Sequence, residues 1–345
     1  MVLKRFYIYY VVLVISALAA ASFALVYQEY GPVDEEKLVS QRVRRNDVVA
    51  DFFYPKEGNH LPLVVALAGS GGGFLPDKEL QSLALEGYAV LSLAYFNADL
   101  LPKKIENIPL EYFDVAIDWS CNQSIVDTGK IILLGVSRGA ELALLLASHY
   151  SRFKGVIAYS PGCFVLPNAV DSDDSIARKS SWSWQGKPIS FAPLPMLQRN
   201  HGEAIDYRRY IEPLLKNLDN EPYTIPVERV KGSILLLSGE DDQTWPSAEM
   251  AMLIEQRLKE NQYPYSVRNV VFPDAGHSLF QLQNNYQLLS STFFRGLRFR
   301  VNGKQYRFNL GGSPWADMLA KRKARSETLQ FLKQFKSSSQ FGTTR

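Results

Sequence analysis

Short, continuous apolar runs recur along the chain from residue 48 onward, separated by stretches that are apolar on one side only. Residues 48–54, 63–67, 89–94, 130–134, 155–158, 232–237 and 267–272 read as strands. They are rich in Val, Leu, Ile and Ala, too short for helices, and mostly bounded by Gly, Pro or Asp. Residues 77–86, 110–119, 138–148 and the stretch after Pro246 read as helices. Pro109 opens the second and Gly87 stops the first. Residues 329–335 lie in a final helix. Runs without polar alternation mark strands buried on both faces, so the pattern predicts an α/β fold: a mostly parallel central sheet with helices on both faces. Two stretches break the rhythm. Residues 167–229 are Pro-rich and carry Trp182, Trp184 and Pro193-Leu194-Pro195. Residues 281–310 contain Asn302-Gly303 within 298–308, a hairpin signal. Both read as insertions over one edge of the sheet. Residues 28–46 are polar and read as an irregular linker, leaving 47–345 as the main domain.

The start of the chain follows another pattern. Lys4 and Arg5 precede an uncharged run, residues 6–27, and the next acid is Glu29. At roughly 20 residues such a run is long enough to cross a bilayer as a helix. Its Ala-rich end, around Ala17-Leu18-Ala19, also offers the small residues of a cleavage site. Segment 1–27 therefore reads as a transmembrane signal-anchor or a signal peptide. Basic residues before the run, with Asp34, Glu35 and Glu36 after it, favour the N-terminus inside. The expectation is a domain held at a membrane on its extracytoplasmic side, or secreted if the leader is cleaved.

Composition changes little in this picture. The chain has 345 residues, 46% hydrophobic and 21% charged, enough for a sizeable core. The net charge of +3 holds no clustered basic excess, so nucleic acid is not an expected partner. The basic run at residues 321–325 reads as the solvated face of a terminal helix, with contact to anionic lipid as the alternative. Cys121 and Cys163 exclude a disulfide-rich scaffold and read as free thiols, with a single disulfide as the alternative. No Cys/His cluster has metal spacing, so neither a metal nor a cofactor is expected.

The chemistry concentrates in one string, Ile131-Ile132-Leu133-Leu134-Gly135-Val136-Ser137-Arg138-Gly139-Ala140-Glu141. A buried strand runs into Gly-x-Ser-x-Gly and directly into a helix. That context puts the serine on a strained turn with its oxygen exposed above the sheet, and the glycines remove side chains that would collide there. The helix N-terminus presents N–H groups to a developing oxyanion. The simpler alternative is a tight turn with Ser137 as N-cap. A serine nucleophile needs a base, and the chain has four histidines. In folds of this kind the order is serine, acid, histidine. His60 precedes the serine, and His201 precedes any late acid. His149 lies along the nucleophile helix, about 18 Å away at the helical rise. His277 remains, in Pro273-Asp274-Ala275-Gly276-His277-Ser278 after the last strand. The acid belongs in the turn Gly239-Glu240-Asp241-Asp242-Gln243, where Asp242 is preferred and Asp241 is second. Oxyanion donors would be the backbone N–H groups of Arg138 and, from the cluster Gly69-Ser70-Gly71-Gly72-Gly73, of Gly71.

These residues sit in strings that together resemble a known family: ALAGSGGGF, GYAVLSLAYF, IPLEYFDVAIDW, KIILLGVSRGAELALLLAS, ILLLSGEDDQTWPS, DAGH and a late LGGSP. From about residue 43 to 335 the chain resembles the C-terminal catalytic domain of acyl-CoA thioesterases and bile acid-CoA:amino acid N-acyltransferases, itself related to dienelactone hydrolase. The resemblance implies an α/β-hydrolase fold, a Ser137–His277–Asp242 triad, and hydrolysis of an acyl thioester through an acyl-serine. Family members usually carry an N-terminal β-sandwich domain, and the short stretch after the apolar run leads to the expectation that it is missing here. The amidating branch resembles a cysteine-nucleophile enzyme, so Ser137 points to water as acceptor. The competing readings are a carboxylesterase or peptidase on extracytoplasmic substrates, an acyl-CoA:amino acid N-acyltransferase, and a non-catalytic binding protein that kept the fold.

Overall fold

The computed structural model describes residues 13–18, 33–168, 178–194, 204–205, 207–216, 218, 221–283, 298–301 and 304–336, with backbone only at 204–205, 298–301 and 304–308. In chain order its strands are β1 (Leu38–Arg45), β2 (Val48–Pro55), β3 (Leu61–Leu67), β4 (Ala89–Leu93), β5 (Ile108–Pro109), β6 (Val126–Val136), β7 (Phe153–Tyr159), β8 (Trp182–Trp184), β9 (Lys187–Pro188), β10 (Ala204–Ile205), β11 (Ser233–Gly239), β12 (Val267–Phe272), β13 (Arg298–Val301) and β14 (Lys304–Phe308). The helices used below are α1 (Asp77–Leu85), α2 (Leu110–Cys121), α3 (Arg138–His149), α4 (Arg208–Leu215), α5 (Ser247–Glu260) and α6 (Pro314–Lys333).

Eight strands form one sheet in the order β1-β2-β4-β3-β6-β7-β11-β12. From β4 to β12 every neighbouring pair is parallel, and β2 is antiparallel to both β1 and β4. Every residue of β3 and β4 is buried, which is why these strands show no polar alternation. Two apolar clusters lie on opposite faces of the sheet. Leu63, Val65 and Leu67 of β3 point into one, with Phe113 of α2 and Leu145 of α3. Val64 and Ala66 point into the other, with Leu80 of α1 and Leu332 of α6.

The expected linker at 28–46 needs correcting, because Leu38–Arg45 is an edge strand paired with all of β2, from Leu38 opposite Pro55 to Arg45 opposite Val48. Only Leu38 and Val43 of β1 are buried. Pairing on one side leaves Arg42, Arg44 and Arg45 to face solvent, as charged residues do on edge strands. That exposure hid the strand from the apolar pattern. The basic run is also corrected: Arg322 and Lys323 are exposed, but Lys321 is buried at 4% exposure. Cys121 and Cys163 are both free, and burial drives the Cys163 thiol well above its ordinary range.

The apolar run 6–27 lies outside the described residues except for 13–18, which are helical. Among the described residues no helix is long and apolar enough to cross a membrane. Asn302 and Gly303 also lie outside them. The strands on either side pair antiparallel, with Val301 opposite Lys304.

Candidate functional site

β6 ends at Val136, α3 begins at Arg138, and Ser137 joins them at φ 57° and ψ −118°. A side chain at positive φ is strained, and such strain persists only where the surroundings impose it. Here they do. A Cβ on Gly135 would stand 2.0 Å from the Gly139 carbonyl oxygen, and one on Gly139 would stand 2.3 Å from that of Leu67. The start of α3 is thus pressed onto the end of β3, with no room for any residue but glycine at either position. The Ser137 N–H donates to the Tyr159 carbonyl at 2.8 Å, tying the turn to β7 as well. The Ser137 hydroxyl makes no capping bond. It lies 2.9 Å from Nε2 of His277 instead.

His277 follows β12 on the loop that returns over the sheet. Its Nδ1 lies 2.8 Å from Oδ2 of Asp242, whose side chain is fully buried. The Asp242 carboxylate accepts three further bonds: at Oδ1 from the N–H groups of Thr244 at 2.9 Å and Trp245 at 3.2 Å, and at Oδ2 from the Ser247 hydroxyl at 2.6 Å. Four donors fix the carboxylate, and the Trp245 ring packs edge-on against the imidazole at 5.6 Å between centroids. Asp241 turns away. Its Oδ2 accepts from the Gly312 N–H at 2.9 Å, and its own N–H donates to the Ala275 carbonyl. Of the two neighbouring aspartates, Asp242 is the one that faces the histidine.

The glycine cluster after β3 reaches the site through Gly69, where a Cβ would stand 3.2 Å from Cβ of Ser137. Gly69 and Gly72 close a turn at 3.0 Å. Gly71, at its centre, faces open space, and its carbonyl accepts from Asn97 Nδ2 at 2.8 Å.

Several residues that sequence reasoning left without a role hold this arrangement. The Arg138 side chain is buried at 5% exposure. It pairs with Glu141 and the Ser181 hydroxyl, and donates to the carbonyls of Leu166 at 3.2 Å and Pro167 at 3.3 Å. Glu141 is fully buried and also accepts from the Trp182 indole at 2.8 Å and the Leu166 N–H at 3.2 Å. Burial pushes its carboxyl up to about 7 against the pull of Arg138. One acid in the apolar stretch Ala140-Glu141-Leu142-Ala143-Leu144-Leu145 was a readable sign of a buried, partnered charge. On the other side, LGGSP supports the histidine. The Leu310 carbonyl accepts from the His277 N–H at 2.7 Å, Asp317 Oδ1 accepts from the Gly276 N–H at 2.8 Å, and Ser313 caps α6. The Ser160 hydroxyl donates to the His277 carbonyl at 2.8 Å.

A serine on a strained strand-to-helix turn, a histidine after the last strand and a buried aspartate after the strand before it, all at the carboxyl ends of a mostly parallel sheet, define an α/β-hydrolase fold with the arrangement used by serine hydrolases. The same fold is found in a dienelactone hydrolase-like promiscuous phosphotriesterase from metagenomic libraries (TM-score 0.51, 14% identity, covering 87% of this chain and 99% of that one) and in an acylaminoacyl peptidase of Pyrococcus horikoshii (TM-score 0.54, 13% identity, 93% and 44%). Residues 108–337 match the family described as BAAT / acyl-CoA thioester hydrolase C-terminal, and the chain belongs to that family. Among its curated relatives are the mitochondrial acyl-coenzyme A thioesterase 2 of Mus musculus, 31% identical over 68% of this chain and 49% of that protein, and acyl-coenzyme A amino acid N-acyltransferase 2 of Rattus norvegicus, 28% identical over 69% and 53%. The chain spans about half the length of the curated relatives it matches.

Proposed function

We propose that this chain is a serine hydrolase that cleaves acyl thioesters through an acyl-serine intermediate. The observation that carries the reading is the unbroken line from Ser137 Oγ through His277 to Asp242, with contacts of 2.9 and 2.8 Å. The family supports a thioester as the substrate class. Nε2 of His277 takes the proton of Ser137 as Oγ attacks the thioester carbonyl. The oxyanion forms beside the N–H groups of Arg138 and Gly71. Collapse breaks the C–S bond, and the departing sulfur takes the proton from Nε2. Water then enters, loses a proton to Nε2 and attacks the acyl-serine, releasing a carboxylic acid and restoring Ser137. Asp242 holds the imidazole in the tautomer that leaves Nε2 free and stabilises the imidazolium.

The test is labelling with a fluorophosphonate probe, wild type against Ser137→Ala and His277→Ala, followed by turnover of a palmitoyl thioester and its matched oxyester, with and without an amino acid acceptor. Labelling lost in both variants with the thioester preferred supports the reading. Turnover of the oxyester alone transfers it to the esterase class, and an N-acyl amino acid product transfers it to the acyltransferase branch. Absence of labelling in folded wild type overturns it. The uncharged run 6–27 leads us to propose also that the chain is held at a membrane with this domain on the extracytoplasmic side. Release of the full chain by alkaline carbonate would sink that proposal, unless the leader is found cleaved.

A further inference from the structure

The two stretches that interrupt the α/β rhythm meet in space. β10 pairs in parallel with β14, Ala204 opposite Arg307 and Ile205 opposite Phe308, and β14 pairs with β13. One three-stranded sheet therefore joins segments that are far apart in sequence. Shortly after β10, α4 opens with Arg208, whose side chain is 21% exposed. Its guanidinium reaches three elements. Nε donates to Glu212 on α4 at 2.6 Å, Nη2 donates to Glu249 in the first turn of α5, and Nη1 donates to the backbone carbonyl of Asp242 at 2.9 Å.

We propose that Arg208 is a positioning residue for the hydrolytic reaction, fixing the main chain of the acid that orients His277. The inference rests on the triad reading above. The Asp242 carbonyl and carboxylate hang from the same Cα, so anchoring the first restricts the direction of the second. The acid already depends on the start of α5, because Ser247 donates to its Oδ2. Arg208 grips that turn through Glu249 and the acid turn through the carbonyl, setting the distance between them. A planar fork suits this and an ammonium does not. Charge adds a second effect. Among the described residues Glu249 Oε2 has no hydrogen-bond partner, so Arg208 is the counter-charge that the structure gives this carboxylate. The charged groups on the elements packed against His277 are Asp242 with Asp241 and Glu240 beside it, Asp274 on its own loop, Asp317 on α6, the Arg138–Glu141 pair behind Ser137, and beyond Asp242 the cluster of Arg208, Glu212 and Glu249. Removing the cation leaves the surroundings more negative and favours the imidazolium.

Arg208→Met keeps an apolar stem and loses both the fork and the charge. We expect kcat for the thioester to fall about 10- to 100-fold with KM within about 2-fold, the pattern of a displaced catalytic group. The acidic limb of the kcat/KM profile should move to higher pH. R208K keeps the charge: its acidic limb should stay in place while kcat falls. If Arg208→Met does not fold, R208K decides, since an unchanged kcat there overturns the proposal. So does an Arg208→Met protein that is less stable but has wild-type kcat and pH profile, because the arginine is then structural only. Wild type that is neither labelled by fluorophosphonate nor active would overturn the triad reading and this inference with it. Active wild type beside an unaffected variant overturns this inference alone.

Discussion

The turn that carries Ser137 and the loops that carry Asp242 and His277 hold their side chains by different means. At Ser137 the restraint is chiefly steric: glycines at 135 and 139 let three backbones touch, and the buried Arg138–Glu141 ion pair in the first turn of the same helix binds the neighbouring segment. Around Asp242 and His277 the restraint is a set of hydrogen bonds: Ser247 donates nearby to the Asp242 carboxylate, while from further along the chain Arg208 donates to the Asp242 carbonyl and Gly312 to Asp241, and Leu310 and Asp317 accept from the N–H groups of His277 and Gly276. Close packing makes the first region hard to change at all. The second is a set of separable contacts, each of which can be cut while the fold survives.

The sharpest cut there distinguishes two neighbours. Asp242→Asn leaves the shape of the acid turn but presents the wrong partner to Nδ1, and kcat should drop about 10³- to 10⁴-fold. Asp241→Asn weakens only the bonds to the Gly312 N–H and the Gln243 side-chain amide. Stability should fall by about 1–2 kcal/mol, with kcat within about 10-fold of wild type. Steady-state kinetics on both variants decide this, and equal losses of kcat would mean that the contacts around Asp241 serve the reaction as directly as those of Asp242.

On the serine side the corresponding cut is expected to cost stability first. Glu141→Ala leaves Arg138 buried without its counter-charge, and the Trp182 indole and Leu166 N–H without their acceptor. Unfolding free energy should fall by about 3–5 kcal/mol, read from denaturant midpoints. A loss below about 1 kcal/mol would show that the pair is solvated in solution and that the two regions do not differ as described.

How much of this was legible in the sequence follows the same division. The turn at Ser137 was readable because its determinants lie within a few residues: a buried strand, two glycines and a helix. His277 emerged from elimination among four histidines. The Asp241/Asp242 ambiguity was not settled by the turn alone, because both aspartates have partners nearby and what assigns their tasks is distant: the Gly312 N–H for Asp241 and His277 for Asp242. LGGSP stood out as a string without a task, since its task is to meet loops some thirty to seventy residues earlier. The edge strand β1 was missed because its order comes from pairing with β2 and not from burial.

A pair of glycines tests whether contact or backbone conformation matters on the histidine side. Gly186 and Gly311 both have left-handed backbones, at φ 72° and 68°. A Cβ on Gly186 would meet nothing within 4 Å, whereas one on Gly311 would stand 1.8 Å from the Asp241 carbonyl oxygen. Gly186→Ala should cost about 1 kcal/mol and leave kcat unchanged. Gly311→Ala should cost about 1–3 kcal/mol and lower kcat as well, because the turn bearing Asp242 must shift. Identical thermal and kinetic behaviour of the two would remove LGGSP from the description of the site.

The last expected effect is a slope, small at any one pH step. Burial raises the Glu141 carboxyl from 4.5 to about 7, so the folded chain holds this proton more tightly than the unfolded chain does. The sign follows from linkage. The contribution is fully present below pH 4.5 and is lost as pH rises through about 7, so stability falls with pH across that window. Other ionisable groups make stability depend on pH as well, so the wild-type curve alone would not isolate Glu141. Glu141→Gln removes this titration and leaves theirs. The difference in midpoint between wild type and Glu141→Gln should therefore shift steadily against wild type between pH 4.5 and 7 and level off above, in thermal melts at fixed ionic strength. A constant difference across the range would mean that Arg138 keeps Glu141 ionised throughout. The pair beside the nucleophile would then act as a fixed clamp, insensitive to pH over the range in which the histidine works.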